Sequence, residues 1–356
     1  MTKDKKGQKN KKKSVLKKCL LPLMVLVAVL LIDACEKKLV TVENSQNQII
    51  VNEQGKLLLE NEEGLKGQLR IPLEADVSAD RITLENHYQD KELWIYIPTS
   101  NSSHYSTNAI EGDITEIEDG CYEARESQII LKFTMKSIWE HQSTVENGSL
   151  QITMLHPNEV YEQIVVVDPV GGGSEWGITE DGYSEKELTC QVARLLEGKI
   201  KESGIKLYFT RTRDVEVSTE ERLQLVQGVD ADLYLRLGVS QAEDAEVYGI
   251  QTFYNEEYVI PEFGNVQWAD LVTKKVTTLA NNKALGLLPA DEDSFLQSLK
   301  IPAAQIQLGF MSNPQECLLM QQEGYQEKLA QGIAEAILEV YTNKNNSNQQ
   351  AEKNEK

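Results

Sequence analysis

From residue 164 the chain reads Ile-Val-Val-Val-Asp-Pro-Val-Gly-Gly-Gly, an apolar β-branched run that stops at an acid, a proline and three glycines. Such a run, closed by Pro and Gly, predicts a buried strand whose C-terminal end opens into a tight loop. Further on, helical spacing of apolar residues predicts helices over residues 185–202, 218–226, 266–280 and 325–341. Strand-like runs fall between them at 205–210, 232–239, 249–254 and 304–308. Ser218 and Glu221 form a capping box at one helix start, and Gly204 supplies a stop for the helix before it. Strands and helices that alternate in this way predict an α/β fold over residues 161–342, a central mixed sheet with helices on both faces. Ligands of open α/β sheets bind beyond the carboxyl ends of the strands, which directs attention to Asp168 and the glycines after it.

Upstream the pattern differs. Residues 68–71, 81–84, 93–97, 129–133 and 150–154 are short alternating runs separated by turn residues such as Asn147-Gly148. They predict a small antiparallel β domain over residues 67–158. Residues 36–66 are rich in Glu, Asn and Gln and read as a stalk holding a strand or two, with apolar patches at Leu39-Val40 and Ile49-Ile50-Val51. Residues 343–356 are too polar to bury a face, which predicts a disordered tail.

Charge changes the picture at the N-terminus. Residues 1–18 carry nine lysines and one acid, and the apolar stretch within 15–35 follows directly. That order predicts a signal anchor or signal peptide with its lysines in the cytoplasm and the rest of the chain outside the membrane. Cys35, preceded by Ile32-Asp33-Ala34, offers the alternative of a lipoprotein. The whole chain carries a net charge of −20 despite those lysines, so its body repels nucleic acid and anionic lipid. The five cysteines are scattered without a Cys-x-x-Cys pair and read mainly as free thiols, one pairing among Cys121, Cys190 and Cys317 being left open. His87, His104, His141 and His156 fall in the β-rich half without ligand spacing and read as surface or packing residues.

The order of motifs from Ile164 to Tyr341 resembles the zinc-dependent N-acetylmuramoyl-L-alanine amidases, which cut the bond between glycan and stem peptide in peptidoglycan. Asp168-Pro169-Val170-Gly171-Gly172-Gly173 is similar to the family's Asp-Pro-Gly-His-Gly-Gly, with Gly171 where a zinc-ligating His stands. Glu185-Lys186 fits the second ligand, a Glu opening the first helix. Thr210-Arg211, Asp214, Ser218 and Arg222 follow the family's next segment. The run from Ala231-Asp232 to Ser240 resembles the strand that ends Ser-Ile-His-Ala-Asn, with Gly238 at the third ligand. Gln307-Leu308-Gly309-Phe310-Met311-Ser312-Asn313-Pro314 resembles a motif whose first residue is a catalytic Glu, and here that residue is the amide Gln307.

A zinc hydrolase needs three protein ligands to activate its water, and glycine has no side-chain donor. An amide cannot serve as general base near neutral pH. The resemblance therefore implies a pseudoenzyme that needs no cofactor, zinc belonging to active members. It would bind peptidoglycan or stem peptides, or act with a cell-wall enzyme or a division or sporulation partner. Arg236, Arg222 and Asn313 are its candidate substrate-binding residues, and Arg236 is expected to pair with Glu185 in place of the lost cation. Glu185 also reads simply as a helix N-terminal carboxylate, Arg211 with Asp214 as a structural pair, and Gln307 as a local hydrogen-bonding group. The competing enzyme reading is an amidase with a rebuilt site on Glu185, Asp168 and loop acids. A third reading makes the domain a scaffold that contributes surface alone.

Overall fold

The computed structural model describes residues 40–43, 49–99, 101, 103–180 and 182–354. The Lys-rich segment, the apolar stretch and Cys35 lie outside them, and among the described residues no helix is long and apolar enough to cross a membrane. The chain divides into two compact units. The second consists of Tyr88–Lys91, Ser137–His141 and the chain from Met154 onward, and the first of the remainder.

The first unit is built of β1 (Val40–Glu43), β2 (Ile49–Lys56), β3 (Leu59–Asn61), β4 (Gln68–Pro72), β5 (Thr83–His87), β6 (Glu92–Ile97), β7 (Ile110–Gly112), β8 (Ile117–Ala124), β9 (Ile129–Met135), β10 (Glu140–Glu146) and β11 (Ser149–Leu155). They form a sheet in the order β1-β2-β8-β9-β6-β5 and another in the order β10-β11-β4-β7-β3. Alternation decides the buried face: Leu93, Ile95 and Ile97 of β6 and Leu69 and Ile71 of β4 point inward. Residues 36–66, expected to hold a strand or two, carry β1, β2 and β3, and β2 pairs antiparallel with β8. The expected antiparallel pairing is corrected in one place, since β3 and β7 run parallel, with β4–β6 forming the long connection that parallel strands require.

The second unit carries β12 (Ile164–Pro169), a hairpin β13 (Thr179–Glu180) and β14 (Tyr183–Ser184), β15 (Lys206–Phe209), β16 (Leu233–Ser240), β17 (Ile250–Tyr254), β18 (Ala284–Pro289) and β19 (Ala303–Phe310). Its helices of five residues or more are α1 (Glu185–Ile200), α2 (Thr219–Gly228), α3 (Asn265–Ala280), α4 (Ser294–Ser298), α5 (Pro314–Met320) and α6 (Glu323–Asn354). The main sheet runs β15-β12-β16-β19-β17-β18. β12 is parallel to β15 and β16, β16 to β19 and β17 to β18, while β17 is antiparallel to β19. Val165 and Val167 join a core with α1, α3 and α6, whereas Ile164 and Val166 pack on the opposite face with α2 and α4. Burial on both faces is why this strand reads as an unbroken apolar run.

Three details depart from the sequence pattern. The closing helix α6 continues to Asn354 rather than stopping at Tyr341, because no Gly or Pro follows Gly332 to end it. The edge strand β18 carries Gly286 and ends on Pro289, so its apolar signal is broken. His141 and His156 belong to the second unit, not the β-rich one. Cys121, Cys190 and Cys317 are free thiols.

Two helix glycines give opposite expectations. A Cβ on Gly332 of α6 would sit 2.6 Å from Val276 Cα on α3, so Gly332→Ala must push two packed backbones apart. We expect a loss of about 1–3 kcal/mol in urea denaturation. Gly198 of α1 faces open space, and Gly198→Ala should add about 0.5–1 kcal/mol in the same assay.

Candidate functional site

The parallel strands of the second unit end together at one edge, and their last residues meet there. Asp168 is the penultimate residue of β12 and lies in register with Arg236 of β16. Two residues later Gly238 is directly paired with Gln307 of β19. Glu185 is the first residue of α1. The region between β12 and α1 carries Gly171, Gly172 and Gly173, all at positive φ.

Asp168 is fully buried. It accepts hydrogen bonds from Thr210 Oγ1 (2.6 Å), Arg222 Nε (2.9 and 3.1 Å), Arg236 Nε (2.9 Å) and the Tyr234 hydroxyl. Burial would raise its pKa, but the two guanidinium groups and the two hydroxyls outweigh that and hold it below the usual carboxylate range. Arg236 also binds Asp293 through Nη1 at 2.6 Å, so two arginines and two aspartates make a neutral cluster.

Glu185 is held by main-chain donors. Its Oε1 accepts from Val239 N at 2.8 Å and its Oε2 from Ile178 N at 3.0 Å. Burial raises its pKa against those two donors. The pairing with Arg236 expected from the sequence is thus corrected. Arg236 turns to Asp168 and Asp293, because residues 234, 236 and 238 share one face of β16 and the carboxylate in register with that face is Asp168.

Other assignments change as well. Arg222 is not open for substrate, since it is buried and its Nε and Nη1 bind Asp168 and Val217 O. Asn313 is the N-cap of α5, accepting from Gln315 N and Glu316 N and donating to Ala245 O. Arg211 does not pair with Asp214. It is buried and donates to Pro169 O, Val170 O and Lys186 O, while Lys186 takes Asp214 at 3.0 Å. Gln307 is 7% exposed, and its Oε1, expected to bond locally, has no hydrogen-bond partner among the described residues. Thr210 is singled out by the sequence only as part of a motif, and Tyr234 and Asp293 not at all. Alternation along β16 could have placed Tyr234 beside Arg236, whereas Asp293 lies in a segment without a periodic signal.

Residues 165–339 match the family described as N-acetylmuramoyl-L-alanine amidase, and the chain belongs to it. It is 25% identical over 232 residues to the germination-specific N-acetylmuramoyl-L-alanine amidase of Bacillus subtilis, covering 61% of this chain and 92% of that protein. It is 23% identical over 184 residues to N-acetylmuramoyl-L-alanine amidase LytC of the same organism, covering 52% of this chain but 36% of that longer protein. A solved N-acetylmuramoyl-L-alanine amidase from Clostridium difficile 630 superposes on 51% of this chain and 97% of its own, with 26% identity and a TM-score of 0.47.

The residues present do not fit the zinc that the family implies. Of the three inherited ligand positions Glu185 alone has a donor side chain, and both of its oxygens are already bonded to main-chain N–H groups. A Cβ on Gly238 would lie 2.8 Å from Gln307 Oε1 and 3.1 Å from Glu185 Oε1. A Cβ on Gly171, which has φ +81°, would lie 2.8 Å from Lys186 Cβ. No group of three or more His, Cys, Asp or Glu converges on a metal position among the described residues.

Asp168→Asn leaves the buried Arg222 and the half-buried Arg236 short of a counter-charge, and should cost about 3–5 kcal/mol at pH 7 by urea unfolding. The folded pKa of Asp168 is depressed, so the stability it supplies is complete above its unfolded pKa of about 3.9. That stability fades as pH falls through the folded value. The gap between wild type and variant should therefore narrow below about pH 4, and a constant gap would contradict the ionised assignment.

Proposed function

We propose that this chain is an N-acetylmuramoyl-L-alanine amidase-family protein of the cell envelope that recognises peptidoglycan or its stem peptides without hydrolysing them. The observation that carries the reading is the environment of Glu185. Glycine occupies both neighbouring ligand positions, Gln307 stands at the position of the family's catalytic acid, and main-chain N–H groups satisfy the surviving carboxylate. Amide hydrolysis needs a polarised carbonyl, an activated water and a proton acceptor, and these residues supply none of the three. The Lys-rich segment and the apolar stretch after it support display outside the membrane, through an uncleaved anchor or a lipid on Cys35. A ligand-binding role or regulation of a cell-wall hydrolase uses the domain as a recognition surface.

The test is zinc content and amide hydrolysis by the purified full chain, with added zinc and peptidoglycan as substrate. We expect no stoichiometric zinc and no release of stem peptides, together with retention of the chain on sedimented peptidoglycan. Release of stem peptides that depends on zinc would establish instead an active amidase with a rebuilt site.

A further inference from the structure

Beside the vacated ligand positions the second unit holds a cavity of about 670 Å³, lined by Arg236, Asp291, Glu292, Asp293, Gln305 and Gln307 among others. Its one cation is already neutralised, since Arg236 is bonded to both Asp168 and Asp293. Asp291 and Glu292 are exposed on its wall, and no cation bonds to their carboxylates among the described residues. The cavity thus presents a net negative field to a ligand. A second feature has the same sense. Gln307 is 7% exposed and its Oε1 is buried without a donor. That oxygen lies 2.8 Å from the point where a Gly238 Cβ would stand, and Glu185 Oε1 lies 3.1 Å from the same point. Gln307 is one of the residues lining the cavity, so its unsatisfied Oε1 adds an acceptor to a wall already carrying two carboxylates.

A wall of acceptors and uncompensated negative charge selects a cationic hydrogen-bond donor. Resting on the reading above, we infer that the cavity binds the N-terminal ammonium of a free stem peptide, the product of amidase action and not its substrate. Hydrolysis of the bond between muramic acid and L-alanine adds water across an amide, leaving a carboxylic acid on the glycan and a free α-amine on the peptide. In the uncut polymer that nitrogen is an acylated, uncharged amide with a single N–H. After the cut it is an ammonium with three donors. The same peptide therefore changes charge at one atom, and an acidic cavity tells the two forms apart. This places the chain after a peptidoglycan-cleaving reaction, as a receptor for what that reaction releases.

The experiment is calorimetric titration of the full chain with released stem peptides and, separately, with the soluble muropeptides in which the same peptides are still joined to the sugar. Any side-chain amine is common to both ligands, so the comparison isolates the α-amine. A charge-assisted contact predicts that released peptides bind at least about tenfold more tightly. In an Asp291→Asn/Glu292→Gln double variant the preference should fall by about fivefold or more, and these exposed positions should leave the melting temperature unchanged. Equal affinity for the two ligands, or a preference that survives the double variant, would overturn the assignment. Retention on intact peptidoglycan with no binding of released peptides would overturn it too, while leaving the reading of the domain in place. Failure to bind peptidoglycan, muropeptide and released peptide alike would remove both.

Discussion

The upper edge of the second unit depends on one buried carboxylate. Asp168 is the penultimate residue of the central strand β12 and has no exposed surface, and its partners come from three directions. Thr210 lies just past β15, Tyr234 and Arg236 belong to the neighbouring strand β16, and Arg222 comes from α2. A lone ion could not be buried there, because the desolvation cost is several kcal/mol. Two guanidinium groups and two hydroxyls make that burial tolerable, and the geometry they require fixes the ends of three strands and one helix together. Net stability is not the measure of such a cluster, since an apolar replacement of equal volume often does as well.

That constraint accounts for the state of Glu185. With Arg236 committed to Asp168 and Asp293, the first carboxylate of α1 has no side-chain cation as a bonded partner among the described residues. It is satisfied by Val239 N, at the end of β16, and Ile178 N, on the segment that follows the three glycines. The same segment comes close enough that a Cβ on Gly177 would stand 2.3 Å from Glu185 Oε2. Gly171, Gly177, Gly238 and Gln307 are therefore mutually consistent. Side chains at the glycines would collide with the carboxylate or its neighbours, and a second acid in place of Gln307 would bring two carboxylates to one buried point, which raises the cost of ionising either.

Much of this edge was legible in the chain. The β-branched run into Asp168 announced a strand buried on both faces, and the order of motifs after it announced the family. What the sequence could not convey was cross-strand register. Spacing along β16 reveals that residues 234, 236 and 238 share a face, but it does not say which carboxylate that face meets, and the pairing of Asp168 with Arg236 is a contact across 68 positions. Asp293 escaped notice for a related reason, since it lies between an edge strand and a five-residue helix, α4, without a periodic pattern. The strands within residues 36–66 give a weak signal because polar positions dominate their composition, although β2 finds its partner in β8 far along the chain.

The separation between scaffold and chemistry follows from where the charges sit. Asp168, Arg222, Thr210 and Tyr234 need no ligand to be satisfied, so the strand ends stay fixed whatever stands at residues 171, 238 and 307. Arg236 is the second cation of that cluster, and its charge is tolerated there only with a second acid beside it. Asp293 fills that requirement at 2.6 Å. The pair then closes the cluster to zero net charge and leaves the acids at residues 291 and 292 as the uncompensated charges of the cavity wall. The neutral cluster and the negatively charged recess are in this sense one arrangement. The arginine that neutralises the interior carries its own counter-ion from the loop, and the loop brings its remaining acids to the edge where the strands end.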